Sequence, residues 1–115
     1  MTTARFRPRD CARTPAAFGY SREIRWADES GASDDRLDQI GTAKLQHEFA
    51  YRIRDALAAR DLTVKDFAEM EGQDYFRWRR LLRGEIIMRL EDVTRVERSL
   101  ELRLVSEHRY GSRED

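Results

Sequence analysis

Between residues 45 and 102 the chain carries apolar side chains at the three- and four-residue intervals of an α-helix. The pattern stops and restarts at Gly72 and Gly84, because glycine readily adopts the left-handed backbone conformation that ends a helix. These intervals predict four helices, covering 45–60, the stretch between Thr63 and Gly72, 74–83 and 90–100. The predicted fold class is therefore all-α.

Residues 1–40 lack a sustained helical period and are interrupted by prolines and glycines. They are predicted to form a flexible, mostly disordered N-terminal arm, in which Trp26 anchors a loop. Residues 41–102, which follow the arm, are predicted to form the helical domain. Residues 103–115 form a C-terminal tail, which is either a strand, an extension of the last helix or a dimerisation segment.

Composition limits the classes of protein that this sequence can encode. The 115 residues are 38% charged and 40% apolar, which is enough for one small core with a highly charged surface. A single cysteine excludes an intramolecular disulfide, and no apolar run is long enough to span a membrane. The two histidines, His47 and His108, are far apart in sequence and do not suggest a metal site. We expect a cytoplasmic protein without enzymatic activity, cofactor or metal.

The second and third helices share a spacing that fixes how they pack. Ala68, Gly72, Trp78, Leu81 and Gly84 form the pattern A-x3-G-x5-W-x2-L-x2-G. A small residue lets the next helix approach closely, glycine permits a tight turn, and the large apolar residues hold the third helix against the first two. The opposite face of the third helix is then left outside, as in a helix-turn-helix.

The segments "FAEMEGQDYFRWRRLLRG" and "LEDVTRVERSLEL" resemble the Xre/Cro-like, or lambda repressor-like, helix-turn-helix family of phage and bacterial repressors. The resemblance covers residues 45–102 and implies a domain of four to five helices that binds double-stranded DNA. Three residues depart from the family pattern. Glu71 stands where an apolar residue is usual, Gln73 where valine is usual and Glu97 where a small residue is usual.

The resemblance also implies roles for the third helix, helix 74–83. The positions that face base edges are Tyr75, Phe76 and Arg80, and arginine can donate two hydrogen bonds to guanine. The family geometry places three further arginines for contacts with the DNA backbone: Arg77, Arg79 and Arg83. Residues 77–83 contain no acid, which favours an anionic partner over a solvated helix face.

We therefore expect a sequence-specific transcriptional regulator that binds DNA as a homodimer and associates with the nucleoid when bound. The candidate dimer surface is the fourth helix with Leu102, Leu104 and Val105. Two alternatives stay open. The chain could be an antitoxin that represses its own operon and folds its arm on a toxin, or a protein-interaction module without DNA binding. The aromatic residues at base-reading positions and the zero net charge favour the interaction module.

Overall fold

The structure is a computed structural model that describes residues 5–105. This part of the chain contains two short 3₁₀ helices, Pro8–Cys11 and Pro15–Ala17, and four α-helices without a strand. The α-helices are α1 (Asp34–Ala59), α2 (Val64–Met70), α3 (Tyr75–Leu82) and α4 (Leu90–Ser99). The predicted all-α class is confirmed for the described residues. Along 5–105, none of the helices combines the length and apolar character that crossing a membrane requires.

Helix α1 begins eleven residues before the predicted start at Leu45. Ser33 caps it by accepting a hydrogen bond from the backbone N–H of Arg36 at 3.1 Å, and two aspartates in the first turn favour the positive end of the helix dipole. The early turns bury only Ile40 and Ala43, so the sequence has no obvious apolar stripe there. The arm therefore ends near Ser33 instead of at residue 40.

The arm is packed, so the prediction that it is mostly disordered is wrong for residues 5–33. Pro8, Cys11 and Phe18 are buried. Trp26 is half-buried and contacts the main core, which agrees with its predicted anchoring role. The arm folds back on itself, and where its two segments meet the Cys11 carbonyl oxygen accepts a hydrogen bond from the Ala27 N–H at 2.8 Å.

The arm also closes over the end of α3. Phe18 lies against Gly84, whose φ is +72°, and a Cβ added to Gly84 would be 2.7 Å from the Phe18 ring. On the same side, a Cβ added to Gly19 would collide with the backbone carbonyl oxygen of Leu82. The two glycines allow the arm to approach the helix this closely, because any side chain would hold the backbones apart.

The main core joins all four α-helices and the arm. Trp78 is fully buried, as predicted, and its ring packs edge-on against Phe67 with the ring centroids 5.1 Å apart. The other fully or nearly fully buried members are Phe18, Phe49, Ala50, Ile53, Leu57, Leu81, Leu82, Val93, Val96, Leu100 and Leu104.

Helix α2 begins with a capping box. The Thr63 hydroxyl accepts a hydrogen bond from the Asp66 N–H at 3.0 Å, and the Asp66 carboxylate accepts one from the Thr63 N–H at 2.9 Å. Residues 71–74 connect α2 to α3, and Gly72 has the expected positive φ, +65°.

Residues 101–105, which include the first three residues of the predicted tail, are neither helix nor strand and complete the core. Leu104 is buried, and Leu102 and Val105 are partly buried against the core. The Glu97 carboxylate accepts the N–H groups of Leu104 at 2.8 Å and Val105 at 3.0 Å, so this departure from the family pattern has a structural role. The three residues predicted for a dimer surface are thus used inside the protomer. The rest of the predicted tail, residues 106–115, lies outside the described residues.

Replacing Gly84 with alanine is expected to destabilise the protein by about 3 kcal/mol or more, because the new Cβ meets both backbone strain and the Phe18 ring. Gly72→Ala is the matched control. It introduces the same kind of strain at φ +65° into open space and should cost about 1 kcal/mol. Urea unfolding measures both free energies. Equal losses would show that the arm does not pack on Gly84.

Candidate nucleic-acid interface

Helix α3 is held in a single rotation about its axis by its apolar side. Trp78, Leu81 and Leu82 are fully buried. The Gln73 side-chain oxygen accepts a hydrogen bond from the Trp78 indole N–H at 3.4 Å, so the polar residue in the turn supports the indole. Asp74 caps the helix by accepting the Phe76 N–H at 3.0 Å. The remaining side of α3 must therefore face outward.

Three of the six predicted contact residues occupy this outer side without a polar partner. Phe76 is 60% exposed, and Arg79 and Arg80 are exposed. Within residues 5–105, neither of these two arginine side chains makes a hydrogen bond or an ion pair. The helix itself carries no acid. Tyr75 is half-buried, and its ring packs against that of Phe76 with a centroid separation of 5.2 Å.

Arg77 has a different environment from its neighbours. Its guanidinium group donates two hydrogen bonds to Asp92, at 2.9 and 2.6 Å. The Asp92 side chain is 4% exposed and also accepts the Arg89 N–H at 2.9 Å, which caps α4. The hydrogen bonds with Asp92 raise the pKa of Arg77, although desolvation opposes this. Arg77 therefore fastens α3 to the start of α4, and its charge is neutralised within the protein.

Arg83 is also paired. Its Nε lies 3.1 Å from the Glu85 carboxylate, and Arg9 of the arm lies 3.3 Å from the same oxygen. The Arg83 side chain is about one-third exposed, so one side of its guanidinium group still faces solvent. Of the four arginines in 77–83, only Arg79 and Arg80 are left with their charge unpaired among the described residues.

The turn before α3 is held by an ionic cluster that replaces the expected apolar contact. The Glu71 carboxylate accepts hydrogen bonds from Arg95 and Arg98, each at 3.1 Å, and from the Ser99 hydroxyl at 2.6 Å. The hydrogen bond from Ser99, helped by those from the two arginines, lowers the pKa of Glu71 against the effect of burial. The cluster ties the end of α2 to α4. It thereby fixes the turn from which α3 starts.

A histidine positions the arm behind α3. His47 Nδ1 accepts the Gly19 N–H at 2.9 Å, and Nε2 lies 3.2 Å from the Arg22 carbonyl oxygen, to which it donates when the ring is neutral. The ring is 5% exposed and packs edge-on against Phe18 and Trp26. Burial lowers the pKa of His47. This histidine therefore has a structural role that the sequence alone does not indicate.

No protein-family model, curated protein or solved structure matches the chain. The geometry of the described residues therefore carries the functional interpretation. It defines an all-helical protein with a short, acid-free helix whose outer side presents two arginines and an aromatic ring. Across residues 5–105, no three His, Cys, Asp or Glu side chains are grouped so that they could hold a metal ion.

The sequence could not reveal the partners of Arg77 and Arg83. The run 77–83 contains no acid, yet Glu85 follows it directly and Asp92 reaches back from the next helix. Glu85 could have been noticed as a neighbour along the chain. Asp92 gave no such indication, because its position three residues into α4 suggests only a cap.

Replacing Arg77 with alanine should destabilise the protein by roughly 2–4 kcal/mol, because Asp92 would be left buried without its cationic partner. Arg79→Ala is the control and should stay within about 0.5 kcal/mol of the parent protein, as surface changes usually do. Thermal and urea unfolding measure the stability of both variants. A loss for Arg77→Ala no larger than for the control would mean that the ion pair does not hold α3 to α4.

Stability should also fall as the pH decreases below about 6.5, because of His47. Its folded-state pKa lies below the unfolded value, so the unfolded chain takes up a proton first and the stabilisation present above pH 6.5 is lost as pH decreases. Urea unfolding measured from pH 7.5 to 5 tests this. His47→Gln cannot take up that proton and should show a flatter profile, although it is less stable throughout. The same pH slope in both proteins would contradict the assignment.

Proposed function

We propose that this protein is a sequence-specific double-stranded DNA-binding transcriptional regulator of the Xre/Cro-like helix-turn-helix type, with α3 in the major groove. The observation that carries the proposal is the outer side of α3. Arg79 and Arg80 project there without a carboxylate partner among residues 5–105, and the helix has no acid of its own. A solvated helix face in a protein of zero net charge would ordinarily include neutralising acids.

The connection of α2 and α3 supports the same proposal. The two helices pack on each other through Phe67 and Trp78 and are joined by the short turn 71–74. Both ends of the turn are held by side-chain hydrogen bonds, from the Glu71 cluster and from the Asp74 cap. A contact helix must be held rigidly to the body of the protein, since small errors in its orientation would misplace every base contact.

Each outer residue has a distinct expected role. Arg80 donates to the O6 and N7 atoms of guanine, and the Phe76 ring contacts thymine methyl groups. Arg79 contacts backbone phosphates, which adds affinity without sequence information. Tyr75 supports the Phe76 ring, and Arg83 reaches a phosphate with the exposed part of its side chain. Arg77 is no longer among the proposed backbone contacts, because Asp92 occupies it.

A protein-interaction module is the second candidate, and the exposed apolar side chains favour it. Met70 is 62% exposed, Phe76 60% and Leu90 82%. These side chains could also form the surface between two copies bound to adjacent half-sites, in place of the residues used in the core. The antitoxin alternative required an arm that folds on its partner. The packed arm of residues 5–33 removes that support.

Exchanging Arg79 and Arg80 together for alanine is expected to lower affinity for a duplex by at least about tenfold, because one base contact alone is worth about 1–3 kcal/mol. Fluorescence anisotropy with a labelled duplex selected from a random pool measures the affinity. The control replaces Arg22 and Arg25, which are exposed on the arm, with alanine and so removes the same number of positive charges.

The two candidate functions give opposite results in this experiment. Loss of binding in the Arg79/Arg80 variant, with the control and the unfolding free energy unchanged, supports DNA contact through α3. Unchanged binding would show that another surface holds the DNA. If the parent protein binds no duplex from the pool, the interaction module becomes the better interpretation.

A further inference from the structure

A second basic surface lies beside α3, where the arm begins. A cleft of about 350 Å³ is formed between the first described residues of the arm and the loop that joins α3 to α4. Its walls are three arginines and three apolar residues: Arg5, Phe6, Arg77, Ile86, Ile87 and Arg89. The cleft brings together cationic groups from three separate segments of the chain.

Two of the three guanidinium groups in the cleft are not neutralised. Asp92 compensates Arg77, as described above. Arg5 has no polar partner within residues 5–105. Arg89 approaches Glu91 only to 3.5 Å, and the two side chains are 69% and 75% exposed, so water screens this pair strongly. The cleft therefore keeps a net positive charge, next to apolar walls that exclude part of the solvent.

The cleft borders the proposed DNA-contacting side of α3. Arg77 lines the cleft, and Arg80 follows it by three residues, which is about one helical turn. A duplex whose major groove receives α3 must run one of its backbones past the residues beside that helix. The cleft is thus placed where a phosphate would pass.

The arm is anchored close to the cleft. The Arg9 N–H donates to the Gly84 carbonyl oxygen at 2.9 Å, and the Arg9 side chain pairs with Glu85 at 3.3 Å. Pro8 is buried. These contacts lie within four residues of Arg5, so they hold the backbone at Arg5 near the loop, and little backbone entropy is lost when the arginine binds an anion.

We propose that this cleft binds a phosphate of the DNA backbone through Arg5 and Arg89, so that the packed N-terminal arm contributes directly to DNA affinity. The inference rests on the proposed function of α3. Guanidinium groups form paired, charge-assisted hydrogen bonds with phosphate oxygens, and such contacts position a protein on DNA without reading bases. Placement of the arm in the minor groove is the competing outcome, which would make Arg5 sensitive to A·T content.

The test compares the full-length parent protein with three double alanine variants, Arg5/Arg89, Arg79/Arg80 and the charge-matched control Arg22/Arg25. Duplex affinity is measured by fluorescence anisotropy from about 50 to 200 mM salt, on the selected sequence and on a scrambled one. The slope of log K against log salt should decrease in magnitude by about 1 in the Arg5/Arg89 variant, because the contact with one phosphate is lost. The ratio of affinities for the two sequences should not change.

Each outcome decides the proposal. A slope equal to that of the Arg22/Arg25 control overturns the phosphate cleft, and the function of α3 still stands if the Arg79/Arg80 variant loses binding. A changed ratio of the affinities for the selected and scrambled duplexes in the Arg5/Arg89 variant also overturns it, in favour of a base-reading contact in the minor groove. If the parent protein binds neither duplex, the cleft and the proposed function fall together. Melting curves followed by circular dichroism are expected to show that the three variants remain folded, because all six substituted arginines are exposed.

Discussion

The burial of Trp78 is the constraint on which the surface of this protein depends. The indole fills the space between α2 and the rest of the core, where it contacts Phe67 and donates to Gln73. With Leu81 and Leu82 it fixes the rotation of α3 about its axis, since no other rotation buries all three side chains. The outward direction of Arg79 and Arg80 follows from that rotation, and so does the inward direction of Arg77 towards Asp92.

The four arginines of residues 77–83 fall into two groups, those that form ion pairs within the protein and those that do not. Arg77 meets a carboxylate of α4 and holds the two helices together, and Arg83 pairs with Glu85 in the segment that follows α3. Arg79 and Arg80 on the outer face meet only solvent among the described residues. Structural pairing of some arginines does not weaken the proposal for the others. A helix that contacts DNA must itself be held firmly, and the pair between Arg77 and Asp92 provides one such attachment to α4.

The arm is ordered through contacts that no periodic pattern encodes. It adopts short 3₁₀ helices and turns, and its stability comes from single side chains such as Phe18, a histidine that accepts a backbone N–H, and glycines that allow close approach to α3. Such a segment is similar in composition to a disordered tail, because prolines, glycines and charges are common in both. The difference lies in the surface against which it packs, and α1 and α3 supply that surface.

The helical class, the positions of α2, α3 and α4 and the burial of Trp78 could be predicted from the amino-acid sequence, because they depend on residues close together in the chain. The sequence also identified the run that contains the two exposed arginines. The folded protein was needed to show where α1 begins, that the arm is packed, that Leu104 belongs to the core, and which arginines are neutralised. The physical reason is that helical periodicity and capping are local, whereas charge pairing and the packing of irregular segments depend on residues brought together by the fold.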